Sequence, residues 1–155
     1  MYKKVLVPLD GSELAEVALS HVKNLVKDGL VEEVTIMNVF TTPVALLGAG
    51  GDSSAYVDVN AVEEKMKYDS LKYLVDVKAR LDAEGVKVTT ESLEGSRAAE
   101  VICDYAQKNN VDLIVLGTHG YTGLKKLMFG SVALEVLHCS HVPVFLVRPE
   151  SCWMK

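Results

Sequence analysis

Residues 111–120 read Val111-Asp112-Leu113-Ile114-Val115-Leu116-Gly117-Thr118-His119-Gly120, a run of consecutive apolar residues that ends in a glycine-rich turn. The run is too short for a helix, and apolar side chains on successive positions indicate a strand covered on both faces, as in a parallel sheet. Three further runs share this pattern: Val5-Leu6-Val7, Val34-Thr35-Ile36-Met37 and Val144-Phe145-Leu146-Val147. The repeated pattern predicts an α/β fold with a parallel sheet.

The remaining periodic segments predict one more strand and four helices. Residues 86–93 alternate apolar and polar side chains, which predicts an edge strand. Apolar residues at helical spacing predict helices after Ser12, over about residues 59–84, after Ser96, and from Ser131 to a point before Pro143. The predicted order of elements is therefore β-α-β-α-β-α-β-α-β.

This order predicts a single doubly wound open sheet of five parallel strands with helices on both faces, because right-handed crossovers pack helices against either side. With the edge-like third strand at one end, the expected strand order is 3-2-1-4-5. Strands one and four then lie side by side and their outgoing connections diverge, which opens a crevice at their carboxyl ends. Ligand-binding residues are therefore expected after Leu9 and after Leu116.

The composition predicts one soluble domain over residues 1–155, since 49% of the residues are apolar and the formal net charge is −5. The acidic balance argues against nucleic-acid binding through a broad basic face. No stretch approaches the roughly 18 apolar residues of a membrane span, and the amino-terminal residues do not resemble a signal peptide. Cys103, Cys139 and Cys152 form no CxxC pair, which favours thiols in a reducing cytoplasm over a disulfide framework.

One segment lacks usable periodicity. Residues 41–58 include Gly48-Ala49-Gly50-Gly51 and exceed the usual loop length of about 4–6 residues. We expect a flexible loop near the crevice, and both a tolerated surface insertion and a lid are compatible with the sequence.

The glycines that follow strand four have the spacing of a phosphate-binding turn. Gly117 and Gly120 permit close backbone approach and positive φ, so that successive N–H groups can point into a concavity. Nine residues later, Gly130 and Ser131 open a helix, whose amino terminus favours an anion. A tight turn followed by a helix start is the structural alternative, but the position directly after a buried strand favours a phosphate cradle.

Asp10 follows strand one and is expected to project into the same crevice. A carboxylate at this position can accept hydrogen bonds from ribose hydroxyls, as in other nucleotide-binding α/β folds. The alternative is a turn or cap residue before Gly11 and Ser12. Pro8 and Val39, at the ends of strands one and two, would supply an apolar surface beside it.

Three stretches of this chain resemble the universal stress protein family: residues 2–12, residues 111–120, and the closing Pro143-Val144-Phe145-Leu146-Val147-Arg148. The glycine spacing is similar to that of the family's ATP-binding branch. The resemblance implies a fold of the adenine nucleotide alpha-hydrolase-like class and ATP as the ligand, together with Mg²⁺ or Mn²⁺. The uncharged fifth strand, Val142 to Val147, is expected at the edge of the sheet, and the resemblance likewise implies a homodimer that pairs it with its copy. The alternative is that the tail from Arg148 to Lys155 folds back over this edge within one chain, anchored by Trp153.

The resemblance also implies roles for individual residues. Asp10 would hold the ribose, while Pro8, Val39 and the backbone of Leu116 would border the adenine. The ribose and phosphates would be held by Gly117, Gly120, Gly130, Ser131 and the N–H group of Val132. Thr118 and His119 would contact phosphate or a bound metal, although a histidine fixed by hydrogen bonds within the turn is the alternative for His119.

These features leave three functional hypotheses. The first is a nucleotide-dependent regulatory module of the stress response, which acts on an unknown protein partner and hydrolyses ATP slowly or only with that partner. The second is an autonomous ATP hydrolase or phosphotransferase, and the third is a nucleotide-free interaction module. The sequence favours the first, because it contains neither a GxxxxGK[ST] loop nor a GxSxG elbow and no evident general base. A weak ATPase activity is compatible with this hypothesis.

Overall fold

The computed structural model describes residues 1–42, 58–118 and 131–149. Strands and helices alternate along these residues, as the sequence predicts. The strands are β1 (Tyr2–Pro8), β2 (Val31–Phe40), β3 (Thr89–Glu94), β4 (Leu113–Gly117) and β5 (Val144–Val147). The helices are α1 (Glu13–Lys27), α2 (Val59–Ala83), α3 (Ala98–Lys108) and α4 (Ser131–Cys139). Most of the segment expected to be a flexible loop, residues 43–57, lies outside the described residues.

The five strands form one parallel sheet in the order β3-β2-β1-β4-β5, which confirms the predicted topology. At the centre of the sheet, Val5 on β1 lies opposite Val34 on β2 and Leu113 on β4. The strands next to β1 are therefore β2 and β4, and the connections that leave β1 and β4 diverge. This is the switch point at which open α/β sheets form a crevice.

Successive residues of β1 enter two different hydrophobic cores. Val5 and Val7 belong to the core that α1 and α2 cover, whereas Leu6 belongs to the core that α3 and α4 cover. All three side chains are at most 1% exposed. Burial on both faces explains why the strands read as unbroken apolar runs and not as alternating ones.

The predicted start of β3 differs from the structure. β3 begins at Thr89 and not at Val86, because Val86 and Val88 pack into the core beneath α2 before the strand pairing begins. Ser12 caps α1 as predicted, with its Oγ accepting a hydrogen bond from the N–H group of Ala15 at 3.1 Å. α3 begins at Ala98, after Ser96 as predicted, and its cap residue Arg97 makes no side-chain capping bond.

The prediction that the cysteines are free thiols is wrong for two of them. Cys103 on α3 and Cys139 on α4 form a disulfide, with Cα atoms 6.2 Å apart. Thirty-six positions separate the two residues in sequence, and only the packing of α3 against α4 brings them together. Cys152 lies outside the described residues.

None of the helices in the described ranges is both long and apolar enough to cross a membrane.

Candidate functional site

A cavity of about 260 Å³ opens at the carboxyl ends of β1 and β4, where the topology predicts a ligand site. All three layers of the fold contribute to it: the loop after β1 and the start of α1, the end of β2, and the starts of α3 and α4. It is lined by Pro8, Leu9, Asp10, Ala15, Met37, Val39, Ala98, Ile102, Leu116, Gly117, Ser131, Val132 and Ala133.

The cavity brings together most of the residues that the sequence selects. They come from four separate parts of the chain: Pro8, Asp10, Val39, Leu116, Gly117, Ser131 and Val132. Thr118 is not among the lining residues, since it is 2% exposed and its N–H group donates to the carbonyl oxygen of Val147 at 2.8 Å. Its proposed contact with phosphate or metal stays a prediction. His119, Gly120 and Gly130 lie outside the described residues.

Asp10 has the turn geometry that was the structural alternative for this residue. Its Oδ1 accepts hydrogen bonds from the backbone N–H of Ser12 at 2.9 Å and from the Ser12 hydroxyl at 2.5 Å. In the part of the chain that the structure describes, no hydrogen bond reaches Oδ2. Asp10 also lines the cavity, and a ligand-binding role there would be compatible with the turn role if the ligand used Oδ2.

The loop that carries Asp10 is fixed to β2 by two short hydrogen bonds. The Leu9 N–H donates to the carbonyl oxygen of Met37 at 2.7 Å, and the Asn38 side-chain amide donates to the carbonyl oxygen of Leu9 at 2.7 Å. Sequence reasoning missed Asn38. The available signal was a single amide side chain within the apolar run of β2.

Gly117 has a packing role in addition to its place in the cavity lining. The described glycines with positive φ are Gly11, Gly29 and Gly85, so the expectation of positive φ at Gly117 is wrong. The expected close backbone approach is present, but the partner is α1. A Cβ at Gly117 would lie 2.3 Å from the Leu14 carbonyl oxygen and 3.0 Å from the Ala15 Cα. Gly117 therefore lets the first turn of α1 pack directly on β4.

A cluster between α1 and α2 fixes the orientation of α1. The Glu16 carboxylate accepts a hydrogen bond from the Tyr73 hydroxyl at 2.9 Å and two from the Arg80 guanidinium at 2.9 and 3.0 Å. Burial, followed by the hydrogen bond to Glu16, raises the pKa of Tyr73 well above its ordinary value, and the charge of Asp10 acts in the same direction. Glu16 lies one turn beyond Ser12, so this cluster anchors the helix that borders the cavity.

The chemistry of the cavity changes from one end to the other. Met37, Val39, Ile102 and Leu116 supply an apolar surface, and Asp10 supplies a carboxylate. On another side lies the start of α4, whose first-turn N–H groups have no acceptor within the helix and favour an anion. The arrangement suits a ligand that combines an apolar ring, hydroxyl groups and an anionic group.

The described ranges of the chain contain no group of three His, Cys, Asp or Glu side chains that could hold a metal ion. Magnesium or manganese binding therefore stays a prediction. A divalent ion that arrives with a polyphosphate would take most of its oxygen ligands from phosphate and water.

The fold and the position of the cavity define a class of protein, namely a doubly wound α/β domain with a cavity at the switch point of the sheet. Residues 1–148 match the Universal stress protein family, and the chain belongs to that family.

Relatives and solved structures agree with this assignment. Universal stress protein MJ0531 of Methanocaldococcus jannaschii is 36% identical over 148 residues, which cover 96% of this chain and 83% of that protein. The structure of MJ0577 from the same organism is 32% identical, with a TM-score of 0.75, over 97% of this chain and 98% of that one. A family protein from Arabidopsis thaliana with AMP bound shares the fold, with 16% identity and a TM-score of 0.65 over 96% of this chain and 93% of that one.

Proposed function

We propose that this protein is an ATP-binding regulatory module of the stress response, and that ATP occupies the cavity at the ends of β1 and β4. One observation carries the proposal: a single cavity is lined by the apolar residues Val39 and Leu116, by Asp10 and by the amino terminus of α4. An apolar surface, a hydrogen-bond acceptor and an anion-binding helix end are the three groups that an adenine nucleotide requires.

Each part of ATP has a counterpart in the cavity. The adenine would lie against Pro8, Val39 and Leu116, which are apolar and line the cavity. The ribose hydroxyls would donate to Oδ2 of Asp10, because Oδ1 already accepts two hydrogen bonds from Ser12. The phosphates would lie at the N–H groups that open α4, and Ser131 would add a hydroxyl donor. The AMP-bound Arabidopsis protein, which shares the fold, supports an adenine nucleotide as the ligand class.

The ionisable groups around the cavity favour a regulatory role over rapid hydrolysis of ATP. Among the lining residues that the structure describes, Asp10 is the one side chain that could act as a general base. The proposal already assigns its free oxygen to the ribose, at a distance from the γ-phosphate. Hydrolysis would then be slow or would depend on a group supplied by a protein partner.

The proposal extends to the assembly and the location of the protein. β5 is the last strand of the sheet, and Phe145 at its centre is 44% exposed, with its ring 5.9 Å from that of His21. Pairing β5 with the β5 of a second copy would give hydrogen-bond partners to the backbone groups of the sheet edge and would cover Phe145. The active form would therefore be a two-fold dimer. Together with Mg²⁺ or Mn²⁺, such a dimer would act on its protein partner in the cytoplasm.

The proposal is tested first by the nucleotide itself. The protein is purified without added nucleotide, denatured, and the released small molecules are identified by mass spectrometry. Calorimetric titrations with ATP, ADP, cyclic AMP and GTP then give the relative affinities. We expect ATP to bind more tightly than GTP, and we expect phosphate release from ATP to stay slow unless cell extract is added. If no adenine nucleotide binds, the proposal is wrong; rapid phosphate release by the pure protein would favour the autonomous hydrolase.

A further inference from the structure

The Cys103–Cys139 disulfide joins the two helices that form one side of the cavity. Cys103 directly follows Ile102, which lines the cavity. Cys139 is the last residue of α4, and Ser131, the first residue of the same helix, also lines the cavity. A helix rises about 1.5 Å per residue, so the eight steps from Ser131 to Cys139 place the bridge about 12 Å along α4. The disulfide is outside the cavity but holds the far end of a helix that forms it.

The non-covalent contacts of α4 with α3 are mainly apolar. Val136 is buried among Ala99 and Ile102 of α3. The ion pair between Arg97 and Glu135 has an N···O distance of 4.0 Å and side chains 62% and 50% exposed, so it contributes little. A nine-residue helix is also too short to be stable without tertiary contacts. The disulfide therefore adds a covalent constraint to the apolar packing that positions α4.

The surroundings of the two sulfur atoms can accommodate thiols as well as a disulfide. Both cysteines are half-buried, so solvent reaches them in part. The Cys139 Sγ lies 3.6 Å from the Ala99 carbonyl oxygen, and the Cys103 Sγ lies 3.9 Å from that of Val136. A thiol can donate a weak hydrogen bond at such distances. Reduction would thus leave both sulfur atoms with an acceptor nearby, and the helices need not unfold.

We infer that Cys103 and Cys139 form a reversible thiol–disulfide site, whose reduction by a low-molecular-weight thiol loosens α4 and weakens nucleotide binding. The nucleotide part of this inference rests on the proposed function, whereas the thiol chemistry does not. Fixing α4 against α3 pre-organises the helix start that meets the phosphates, and a pre-organised site loses less conformational entropy on binding. The oxidised protein is accordingly the form with high affinity.

The chemistry of reduction is ordinary thiol–disulfide exchange. The thiolate of a small thiol attacks one cysteine sulfur, the bond between Cys103 and Cys139 breaks, and the other sulfur leaves as a thiolate that takes up a proton. A second small thiol attacks the mixed disulfide and releases the small molecule as its own disulfide. The protein gains two electrons and two protons, and two small thiols are oxidised to one disulfide. A low-molecular-weight disulfide reverses both steps.

Linkage makes the effect reciprocal: a nucleotide that binds the oxidised form more tightly must also make the disulfide harder to reduce. We expect the oxidised form to bind the nucleotide roughly tenfold more tightly than the reduced form. For this two-electron couple, that ratio corresponds to a change of about 30 mV in the reduction potential of the disulfide when the nucleotide is bound.

The experiment uses the full chain with Cys152→Ser, which removes the third cysteine and keeps the pair. The protein is equilibrated in buffers of reduced and oxidised glutathione, and alkylation followed by mass spectrometry gives the fraction of disulfide. ATP affinity is then measured by calorimetry for the fully oxidised and fully reduced forms. Hydrogen exchange of the α4 amides is compared between the same two forms without nucleotide. The double variant Cys103→Ser, Cys139→Ser in the same background provides the matched control, because it has no cysteine left to exchange with glutathione and its ATP affinity should not respond to the buffer.

We expect the pair to titrate reversibly, the α4 amides to exchange faster after reduction, and ATP to bind roughly tenfold more weakly to the reduced form. The inference is overturned if the two cysteines stay thiols in oxidised glutathione, or if α4 exchanges equally in both forms. Equal ATP affinity of the two forms also overturns it, while leaving the proposed function standing. If neither form binds ATP, the proposed function fails. The hydrogen exchange of the α4 amides then decides by itself whether the disulfide constrains the helix.

Discussion

Replacing Gly117 by alanine should destabilise the fold through the backbone of α1. The new Cβ would lie 2.3 Å from the Leu14 carbonyl oxygen and 3.0 Å from the Ala15 Cα. Non-bonded heavy atoms prefer separations of about 3.5–4.0 Å, so the first turn of α1 must move by about 1 Å. Overpacking of this kind costs typically about 1–3 kcal/mol, and the upper part of that range applies because the obstructing atoms belong to a helix backbone. For a chain of this length, about 3 kcal/mol lowers Tm by roughly 6–12 °C.

Gly95 offers a matched control. A Cβ there would also meet an atom at 2.3 Å, but that atom is Cγ2 of Val101, a side-chain methyl group that can rotate away. Gly95→Ala should therefore cost only about 1 kcal/mol. Both variants are unfolded in urea and by heat, and ATP affinity is measured in each. Gly117→Ala should also bind ATP more weakly, since Ala15 lines the cavity. If the two variants lose equal stability, the contact with the α1 backbone is not what requires a glycine at position 117.

Three further predictions concern the site and its surroundings. Asp10→Asn keeps an oxygen acceptor for Ser12 but loses the charge. We expect the affinities for ATP and for adenosine, measured by calorimetry, to fall alike by roughly tenfold. A loss of affinity confined to ATP would place the carboxylate at the phosphates. Phe145→Lys should convert the dimer into a folded monomer, as measured by sedimentation. Val75→Lys is the control and should leave the dimer intact, because Val75 is 60% exposed on α2. A monomeric wild type would refute the pairing of β5. Because the pKa of Tyr73 is raised above its ordinary value of 10.0, the folded state holds this proton more tightly than the unfolded state, and the associated stability is lost as pH rises above about 10. Tyr73→Phe should accordingly show a shallower fall in the free energy of unfolding from about pH 9 to 11 than the wild type, and identical slopes would contradict the assigned shift.

The topology was predictable from sequence because strands covered on both faces leave a simple pattern. Leu113 to Leu116 and the equivalent runs are apolar at successive positions, and one order of elements follows from handedness. The position of the cavity followed from the topology without any knowledge of side-chain contacts. Seven of the proposed site residues line the cavity; they lie at or just beyond the end of a strand or open a helix, and the roles of Leu116 and Val132 came from the family resemblance.

What the sequence did not predict depends on contacts between distant segments. The disulfide requires α3 and α4 to lie with Cys103 facing Cys139, and their spacing carries no such information. For Gly117, the motif suggested a need for positive φ, whereas a glycine is required there because the backbone of Leu14 on α1 leaves no room for a Cβ atom. Asn38 acts through the carbonyl group of Leu9, a partner that no local pattern indicates.

The register of the central strands has a consequence for synthesis of the chain. Val5 on β1 pairs with Leu113 on β4, so about 108 residues separate the two strands whose ends form the crevice. A ribosome adds roughly 5–20 residues per second, and at least about 5 s therefore passes before β4 can join β1. During that interval the nascent chain carries Asp10 but not Leu116, Gly117 or the start of α4, which complete the cavity. If the cavity binds the proposed ligand, the chain acquires that property only in the last third of its translation, and a truncated product would not compete for the ligand.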